Sequence, residues 1–116
     1  MPTKVLSSHD SLTESQFQQQ VIELAKLHGY DLCYHTHDSR RSEPGFPDLV
    51  LISNRRKLVL FRELKTAKGK VSKDQMIWIT SMQLVGLNAG VWRPSDLTNG
   101  HIIDDLRGKR GDLHNA

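Results

Sequence analysis

Residues 48–65 read DLVLISNRRKLVLFRELK, two apolar runs separated by a short polar segment. The runs, residues 48–52 and 57–65, have the length and the aliphatic composition of β-strands. The polar residues 53–56 between them predict a tight turn. The stretch therefore predicts a β-hairpin, and the other elements are placed around it.

Within this hairpin, two carboxylates are predicted to face each other. If the turn centres on residues 55–56, Asp48 lies directly opposite Glu63, with Cβ atoms about 4.5–5.5 Å apart. If residues 53–54 form the turn instead, the pairing shifts. Facing carboxylates are destabilising when bare, and Mg²⁺ binds through one or two carboxylates together with water and substrate phosphate. The first register therefore predicts a divalent metal site.

Lys65 is predicted to join this site because side chains two residues apart on a strand share a face. Two carboxylates and a lysine suit a metal-dependent phosphodiesterase, in which the metal activates water and polarises the phosphate. Lys65 would either deprotonate the attacking water or stabilise the growing negative charge, and both roles stay open. The alternative is a salt-bridged, solvated strand face, with Pro47 and Asp48 marking only the strand entry.

Length and composition predict one globular domain of 116 residues. We expect the domain at residues 11–106, a flexible leader at 1–10 and a polar tail at 107–116. The single cysteine, Cys33, excludes an internal disulfide framework and fits a reducing compartment such as the cytoplasm. No apolar run has the length of a membrane helix, and no signal-peptide pattern begins the chain.

The positive charges are concentrated near the predicted site. Eight of the sixteen Lys and Arg residues fall within residues 55–73, where Glu63 is the one acidic residue. Such a patch suits a nucleic-acid backbone, although a solvated hairpin tip and loop would also be lysine-rich. The candidate DNA-binding residues are Lys68, Lys70, Lys73 and, in the loop before Pro47, Arg40 and Arg41.

Helices are predicted on both sides of the strands. A capping box at residues 11–14 begins a helix that runs to about His28 and stops at Gly29. After a strand at 30–36 and the hairpin, a second capping box at 72–75 begins a helix that ends near residues 84–85. A short strand at 91–92 and a helix start at 94–96 follow. The fold class is α/β, with helices flanking a small central sheet.

Polar residues interrupt the apolar stripes of both helices. Glu14 lies three residues before Phe17, on the stripe predicted to face the core, so it either binds a partner or metal or serves as the capping-box acid. Gln18 lies one turn beyond Glu14 on that stripe. Gln75 is likewise both a capping residue and a member of the inward stripe, which also contains Trp78, Ile79, Met82 and Val85.

Taken together, Glu14, Asp48, Glu63-Leu64-Lys65 and Gln75 resemble the PD-(D/E)XK nuclease pattern. The surrounding stretches are similar to the VRR-NUC (virus-type replication-repair nuclease) branch of that superfamily. They are TESQFQ (13–18), GFPDL (45–49), FRELK (61–65), VSKDQ (71–75) and VWRPSD (91–96). The resemblance covers about residues 11–97 and implies a restriction-endonuclease-like αβββαβ core with a mixed sheet, the order predicted above from the residues.

The resemblance implies a minimal, stand-alone nuclease like those of bacteriophages, acting in a bacterial or phage-infected cell. Such members cleave branched DNA and resolve Holliday junctions as homodimers. It also implies that Glu14, Asp48, Glu63 and the Leu64 carbonyl bind Mg²⁺ or Mn²⁺, that Lys65 acts on the attacking water, and that Gln75 supports the site or contacts DNA. Neither a nucleotide cofactor nor a membrane is expected. For the dimer, the exposed face of the second helix, including Ile77 or Trp78, is a candidate interface.

Three other interpretations stay open. Cys33, His35 and His37 alternate on one strand face and suggest zinc, although structural zinc normally takes four ligands with paired spacing. A non-catalytic DNA-binding module would keep the fold without cleavage, but it has no use for carboxylates beside phosphates. A restriction-like or RNA-directed endonuclease is the remaining alternative, and no residue pattern distinguishes branched DNA from duplex, or DNA from RNA.

Overall fold

The described residues form a four-stranded mixed sheet with helices packed against it. The structure is a computed structural model that describes residues 11–36 and 43–109. The sheet order is β1-β2-β3-β4; β1, β2 and β3 pair antiparallel, whereas β3 and β4 pair parallel. The elements in chain order are α1 (Glu14–Leu27), β1 (Leu32–His35), β2 (Leu49–Ser53), β3 (Leu58–Leu64), α2 (Lys73–Leu84), β4 (Asn88–Trp92), α3 (Ser95–Thr98) and α4 (His101–Leu106). The predicted α/β class and αβββαβ order are confirmed, with two short helices added at the end.

The β2–β3 hairpin has the first of the two predicted registers. Leu49 pairs with Arg62, and Ser53 pairs with Leu58. The turn therefore centres between residues 55 and 56, and the alternative turn at residues 53–54 is wrong. Continuing the ladder by one residue places Asp48 opposite Glu63.

The two faces of the sheet have different roles. One face packs against α1 and α4 and forms the apolar core, with Leu60 and Leu64 of β3 fully buried on it. Alternation along β3 turns Phe61 and Glu63 toward the opposite face, which α2 covers. The core consists of Phe17, Val21, Ala25, Tyr30, Leu49, Leu51, Leu60, Leu64, Trp92, Ile102 and Leu106.

Arg62 belongs to the core side of the sheet, so counting it with the cationic surface was wrong. Its side chain is 4 % exposed and forms a 3.3 Å ion pair with Asp105. The same Asp105 oxygen accepts a 2.8 Å hydrogen bond from the Trp92 indole, and the guanidinium lies 4.8 Å from the Trp92 ring centroid. The charge is buried because α4 supplies its counter-ion. Residues 55–57 also lie away from the carboxylates, at the turn end of the hairpin.

Two helix boundaries and one strand boundary differ from the predictions. The N-cap of α1 is Thr13, whose hydroxyl accepts from Gln16, so Ser11 and Glu14 do not form the predicted capping box. Val85 is 75 % exposed because it is the C-cap of α2, outside the inward stripe. β4 begins at Asn88, three residues earlier than predicted.

Several sequence-based assignments lie outside the described residues. They are the leader at 1–10, His37, Arg40 and Arg41 in the loop before β2, and residues 110–116 of the tail. Within 11–36 and 43–109, no helix combines the length and apolarity needed to cross a membrane.

Candidate active site

Asp48 joins the ends of the two hairpin strands. It is the residue before β2, and its Oδ2 accepts a 2.9 Å hydrogen bond from the Leu64 backbone N–H. A carboxylate oxygen thus replaces the ladder partner that the Leu64 amide would otherwise need at this position. The bond fixes the Asp48 carboxylate beside the end of β3, where Glu63 lies.

Glu63 has a buried carboxyl group in which one oxygen has contacts with other side chains and the other has no hydrogen-bond partner among the described residues. Its residue is 2 % exposed. The Oε2 atom accepts a 2.8 Å hydrogen bond from the Gln75 amide and lies 3.6 Å from the Lys65 ammonium nitrogen. The Oε1 atom is buried without a hydrogen-bond partner among the described residues. An unpaired buried acceptor is costly, which indicates a site that is completed by something else.

The electrostatics of Glu63 favour neutralisation. Burial raises the pKa of the Glu63 carboxyl to about 8, and the negative charge of the neighbouring Asp48 adds to the rise. The Lys65 ammonium opposes this rise, and the Glu14 carboxylate adds a smaller contribution to it. Two carboxyls held this close require either a shared proton or a cation between them.

The residues present fit a hard divalent cation. Mg²⁺ prefers oxygen ligands and is often held by one or two carboxylates while water and phosphate occupy its other positions. Asp48 and Glu63 supply such a pair, and the unpartnered Oε1 of Glu63 is an available donor. Whether the Leu64 carbonyl adds a backbone ligand stays a prediction.

Glu14 does not join this pair as a third close carboxylate. Among the residues described, no group of three or more His, Cys, Asp and Glu side chains is arranged to hold a metal ion. The expectation that Glu14 lies on the buried stripe is wrong, because it is exposed at the first position of α1. The capping-box alternative is also wrong, since Gln16 takes that role. Glu14 acts on Glu63 through charge, and its assignment as a ligand stays a prediction.

Gln75 performs both of the roles between which its sequence position left a choice. Its Oε1 accepts from the Ser72 backbone N–H at 2.8 Å, which completes the capping box of α2. Its Nε2 donates to Glu63 at 2.8 Å. One amide thus ties the start of α2 to the candidate site.

An aromatic contact holds the loop that leads into Asp48, and sequence reasoning missed it. The Phe46 ring packs edge-on against Trp78 and Phe61, with centroids 5.2 and 6.4 Å apart. The Trp78 indole donates a 3.1 Å hydrogen bond to the Pro44 carbonyl. Trp78 is therefore engaged within the chain, so of the two residues proposed for a dimer interface Ile77 is the freer one. The available signal was Phe46 itself, an aromatic residue between Gly and Pro.

The lysines predicted to bind DNA surround the loop after β3. Lys68, Lys70 and Lys73 are all exposed. Arg93 fixes this loop through two hydrogen bonds. Its Nη1 donates to the carbonyls of Thr66 at 2.9 Å and Gly69 at 2.7 Å. No sequence signal singled out Arg93 for this role.

The zinc interpretation gains no support from the described residues. Cys33 is partly buried, and its thiol lies 3.9 Å from the Tyr30 carbonyl. Burial raises the pKa of the Cys33 thiol, which disfavours the thiolate that zinc binds. His37 lies outside the described residues.

The family model of the VRR-NUC domain matches residues 5–95, most of the chain. The chain belongs to the VRR-NUC family. A solved structure named "VRR_NUC domain protein" shares the fold with a TM-score of 0.63 at 20 % identity, covering 82 % of this chain and 90 % of the other. No curated protein matches the chain. This VRR-NUC chain therefore has a nuclease-type fold, and nucleic acid is the substrate class that its family implies.

Proposed function

We propose that this VRR-NUC protein is a metal-dependent endonuclease that hydrolyses phosphodiester bonds in branched DNA. The observation that carries the proposal is the buried Oε1 of Glu63, unpartnered in the described structure and placed beside the Asp48 carboxylate. A structural salt bridge would satisfy that oxygen, whereas a metal site must keep an oxygen available. The cation is Mg²⁺ or Mn²⁺, held by Asp48 and Glu63 with the Leu64 carbonyl as a further ligand, and the Glu14 carboxylate adds negative charge to the site.

The reaction is an in-line displacement at phosphorus. A water oxygen forms a bond to phosphorus as the bridging P–O bond breaks, and the water loses a proton while the departing oxygen gains one from solvent. When bound, the cation supplies positive charge that polarises the phosphate and acidifies nearby water. Asp48, fixed by the Leu64 amide, and Glu63, fixed by Gln75, hold their oxygens in place throughout.

Lys65 acts as an ammonium ion in this proposal. Its nitrogen lies 3.6 Å from Glu63 and its side chain is 18 % exposed, so it faces solvent at the mouth of the site. An ammonium in this position donates hydrogen bonds to a non-bridging phosphate oxygen as negative charge grows there. It also offsets the repulsion between the carboxylates before DNA arrives.

Resolution of a four-way junction requires two symmetric cuts. One chain supplies one pair of carboxylates, so a two-fold homodimer would present two sites to opposing strands. We therefore propose a homodimer as the active form on junctions. Flaps and other branched substrates need only one site.

The test is cleavage of labelled four-way, flap and linear duplex DNA, and of matched RNA, in Mg²⁺, Mn²⁺ or EDTA. Asp48→Asn keeps an oxygen for the Leu64 amide and removes one negative charge, so we expect cleavage to fall by roughly 10²–10³-fold with DNA binding retained. The matched control is Glu23→Gln, an exposed position on α1 that should cleave like wild type.

Three outcomes are informative. Paired junction cuts that disappear in EDTA and in Asp48→Asn would support the proposal. Binding without any cut in either metal would favour the non-catalytic module. Cutting of linear duplex or RNA in preference to junctions would favour the restriction-like or RNA-directed alternative.

A further inference from the structure

A basic cavity lies beside the candidate site and has no role in the chemistry above. It has a volume of about 570 Å³ and is lined by Thr66, Ala67, Lys68, Arg93 and Ser95. The parallel strands β3 and β4 both end at this edge of the sheet, and the Lys65 amide donates to the Trp92 carbonyl there at 3.1 Å. The cavity therefore lies along the same sheet edge as Glu63 and Lys65, on the β4 side.

The lining has the chemistry of an anion site. Lys68 is exposed and Arg93 is partly buried, and the hydroxyls of Thr66 and Ser95 add two neutral donors. Arg93 uses Nη1 for the loop carbonyls, and its Nη2 and Nε have no bonds to the described residues. A guanidinium anchored on one side and open on the other is well arranged to bind phosphate oxygens.

The Asp96 carboxylate, next in sequence to the lining residue Ser95, uses both of its oxygens in other contacts. One oxygen of Asp96 accepts from the Arg93 backbone N–H at 2.8 Å, and the other lies 3.2 Å from the His101 ring. Neither Lys68 nor Arg93 has a carboxylate within ion-pair distance in the described residues. The cavity thus combines two cations, neither of which forms an ion pair with a carboxylate of the described residues.

We propose that this cavity binds a backbone phosphate of the substrate strand next to the one that is cut. The inference rests on the proposed function for the position of the cut, but the binding event does not require cleavage. Gly69 allows the loop to lie close to Thr66, because a Cβ there would lie 3.1 Å from the Thr66 hydroxyl and 3.5 Å from the Lys65 side chain. Seating the neighbouring phosphate would align the scissile one with Lys65.

Binding of labelled DNA in Ca²⁺, measured by fluorescence anisotropy over a series of NaCl concentrations, tests the proposal. Lys68→Ala should weaken binding by about 5-fold and reduce the salt slope by about 1. The matched control is Lys109→Ala, which removes the same charge from an exposed lysine at the turn end of the hairpin, where Gly108 approaches Leu58. Arg93→Lys keeps the charge and the loop-side donor, and we expect a smaller loss.

Substituting single backbone phosphates with neutral methylphosphonates identifies the ligand. One position within two nucleotides of the cut should weaken wild-type binding, and the same substitution should cost Lys68→Ala nothing further. Equal additional losses in both proteins at every position would overturn the proposal. Competition of inorganic phosphate with DNA for wild-type protein but not for Lys68→Ala would also overturn the proposal, because the cavity would then bind free phosphate. A requirement for a phosphorylated strand end would overturn it as well, because the ligand would then be a terminal phosphate.

The two proposals fail separately in these measurements. If wild-type protein binds with the predicted Lys68 and methylphosphonate pattern but never cuts, the cavity stands and the nuclease proposal falls. If cutting occurs and Lys68→Ala binds and cuts like Lys109→Ala, the nuclease proposal stands and the cavity is not a phosphate site.

Discussion

Glu63 determines how the candidate site behaves without a metal. Its carboxyl has one unpartnered oxygen in the described structure, and burial together with the neighbouring Asp48 raises its pKa to about 8. At neutral pH the metal-free protein therefore favours a proton on this pair. A bound divalent cation must displace that proton, so metal binding and proton release are linked.

The raised pKa predicts an unusual dependence of stability on pH. In the unfolded chain a glutamate titrates near 4.5, whereas in the fold Glu63 titrates near 8. Between these values the folded state binds the extra proton, so its contribution to stability is fully present below about pH 4.5 and is lost as the pH rises to about 8. In EDTA, we expect the free energy of unfolding to fall across this window with a slope of at most about 1.4 kcal/mol per pH unit from this group.

Glu63→Gln isolates this contribution because an amide resembles the protonated carboxyl. Denaturant unfolding in EDTA should show a flatter pH profile for the variant and, near pH 8, a free energy of unfolding at or above that of wild type. The variant should also lose the stabilisation that Mg²⁺ or Mn²⁺ gives wild type. Identical pH profiles for the two proteins would show that the pair does not hold the proton.

Lys65 supports a second prediction at the residue scale. If it acts as a cation, Lys65→Arg should retain measurable cleavage, because arginine keeps the charge although its geometry differs. Lys65→Gln should lose roughly 10²-fold, as for removal of one charge-stabilising donor. Single-turnover rates over a pH series distinguish the roles: equal loss in both variants, with loss of the rise in rate on the alkaline side, would mean that Lys65 removes the proton instead.

At the scale of elements, the loop before β2 and the start of α2 form one unit. Gly45 has φ +95°, and a Cβ there would lie 2.5 Å from the Asp74 backbone carbon. The loop therefore approaches α2 closely enough for Trp78 to bind the Pro44 carbonyl. Because Asp48 follows Gly45 by three residues, this contact helps to set the position of the Asp48 carboxylate.

Gly45→Ala should displace the loop and move Asp48. The positive φ costs about 1–2 kcal/mol by itself, and the contact with Asp74 adds to it, so we expect a larger loss of stability and at least a 10-fold loss of cleavage. Gly86→Ala is the matched control, since Gly86 has φ +89° but open space around its Cβ position. It should lose only the cost of the backbone conformation, as measured by thermal unfolding, and should cleave normally. Equal effects on cleavage would rule out the loop contact as the cause.

The hairpin and the helix caps depend on local sequence, so most of their features could be predicted. The hairpin followed from a short polar segment between two apolar runs, which left two registers open until the structure showed the first, and the second capping box followed from Ser72 and Gln75. The first cap was wrong because residues 11–14 and 13–16 both match the pattern. Thr13 is the cap in the structure, which lets its carbonyl accept from the Phe17 amide as the helix begins.

At the scale of the whole molecule, the largest error came from a distant contact. Arg62 was counted with the surface charges because it falls within the basic stretch 55–73, yet it is buried against Asp105, 43 positions away. Helix α4, which also supplies Ile102 and Leu106 to the core, had no predicted bounds, because the sequence pattern indicated only a helix start at residues 94–96. Such pairings between remote segments depend on the assembled fold and cannot be found from spacing.

The exposed surface of α2 predicts where a second copy would bind. Ile77 and Leu84 lie seven residues apart on one side of the helix and are 54 % and 81 % exposed. If this side forms the two-fold contact, Leu84→Asp should shift sedimentation to the monomer and convert paired junction cuts into single nicks. Flap cleavage should persist, because it needs one site.

Leu27→Asp is the matched control for that experiment. Leu27 is also 81 % exposed and is also the last residue of its helix, but it lies on α1. It should leave both the sedimentation and the paired cuts unchanged. A dimer that persists in Leu84→Asp and dissociates in Leu27→Asp would move the interface to α1. A wild-type monomer at micromolar concentration, with or without junction DNA, would leave single-site cleavage of branched DNA as the activity that one chain can perform.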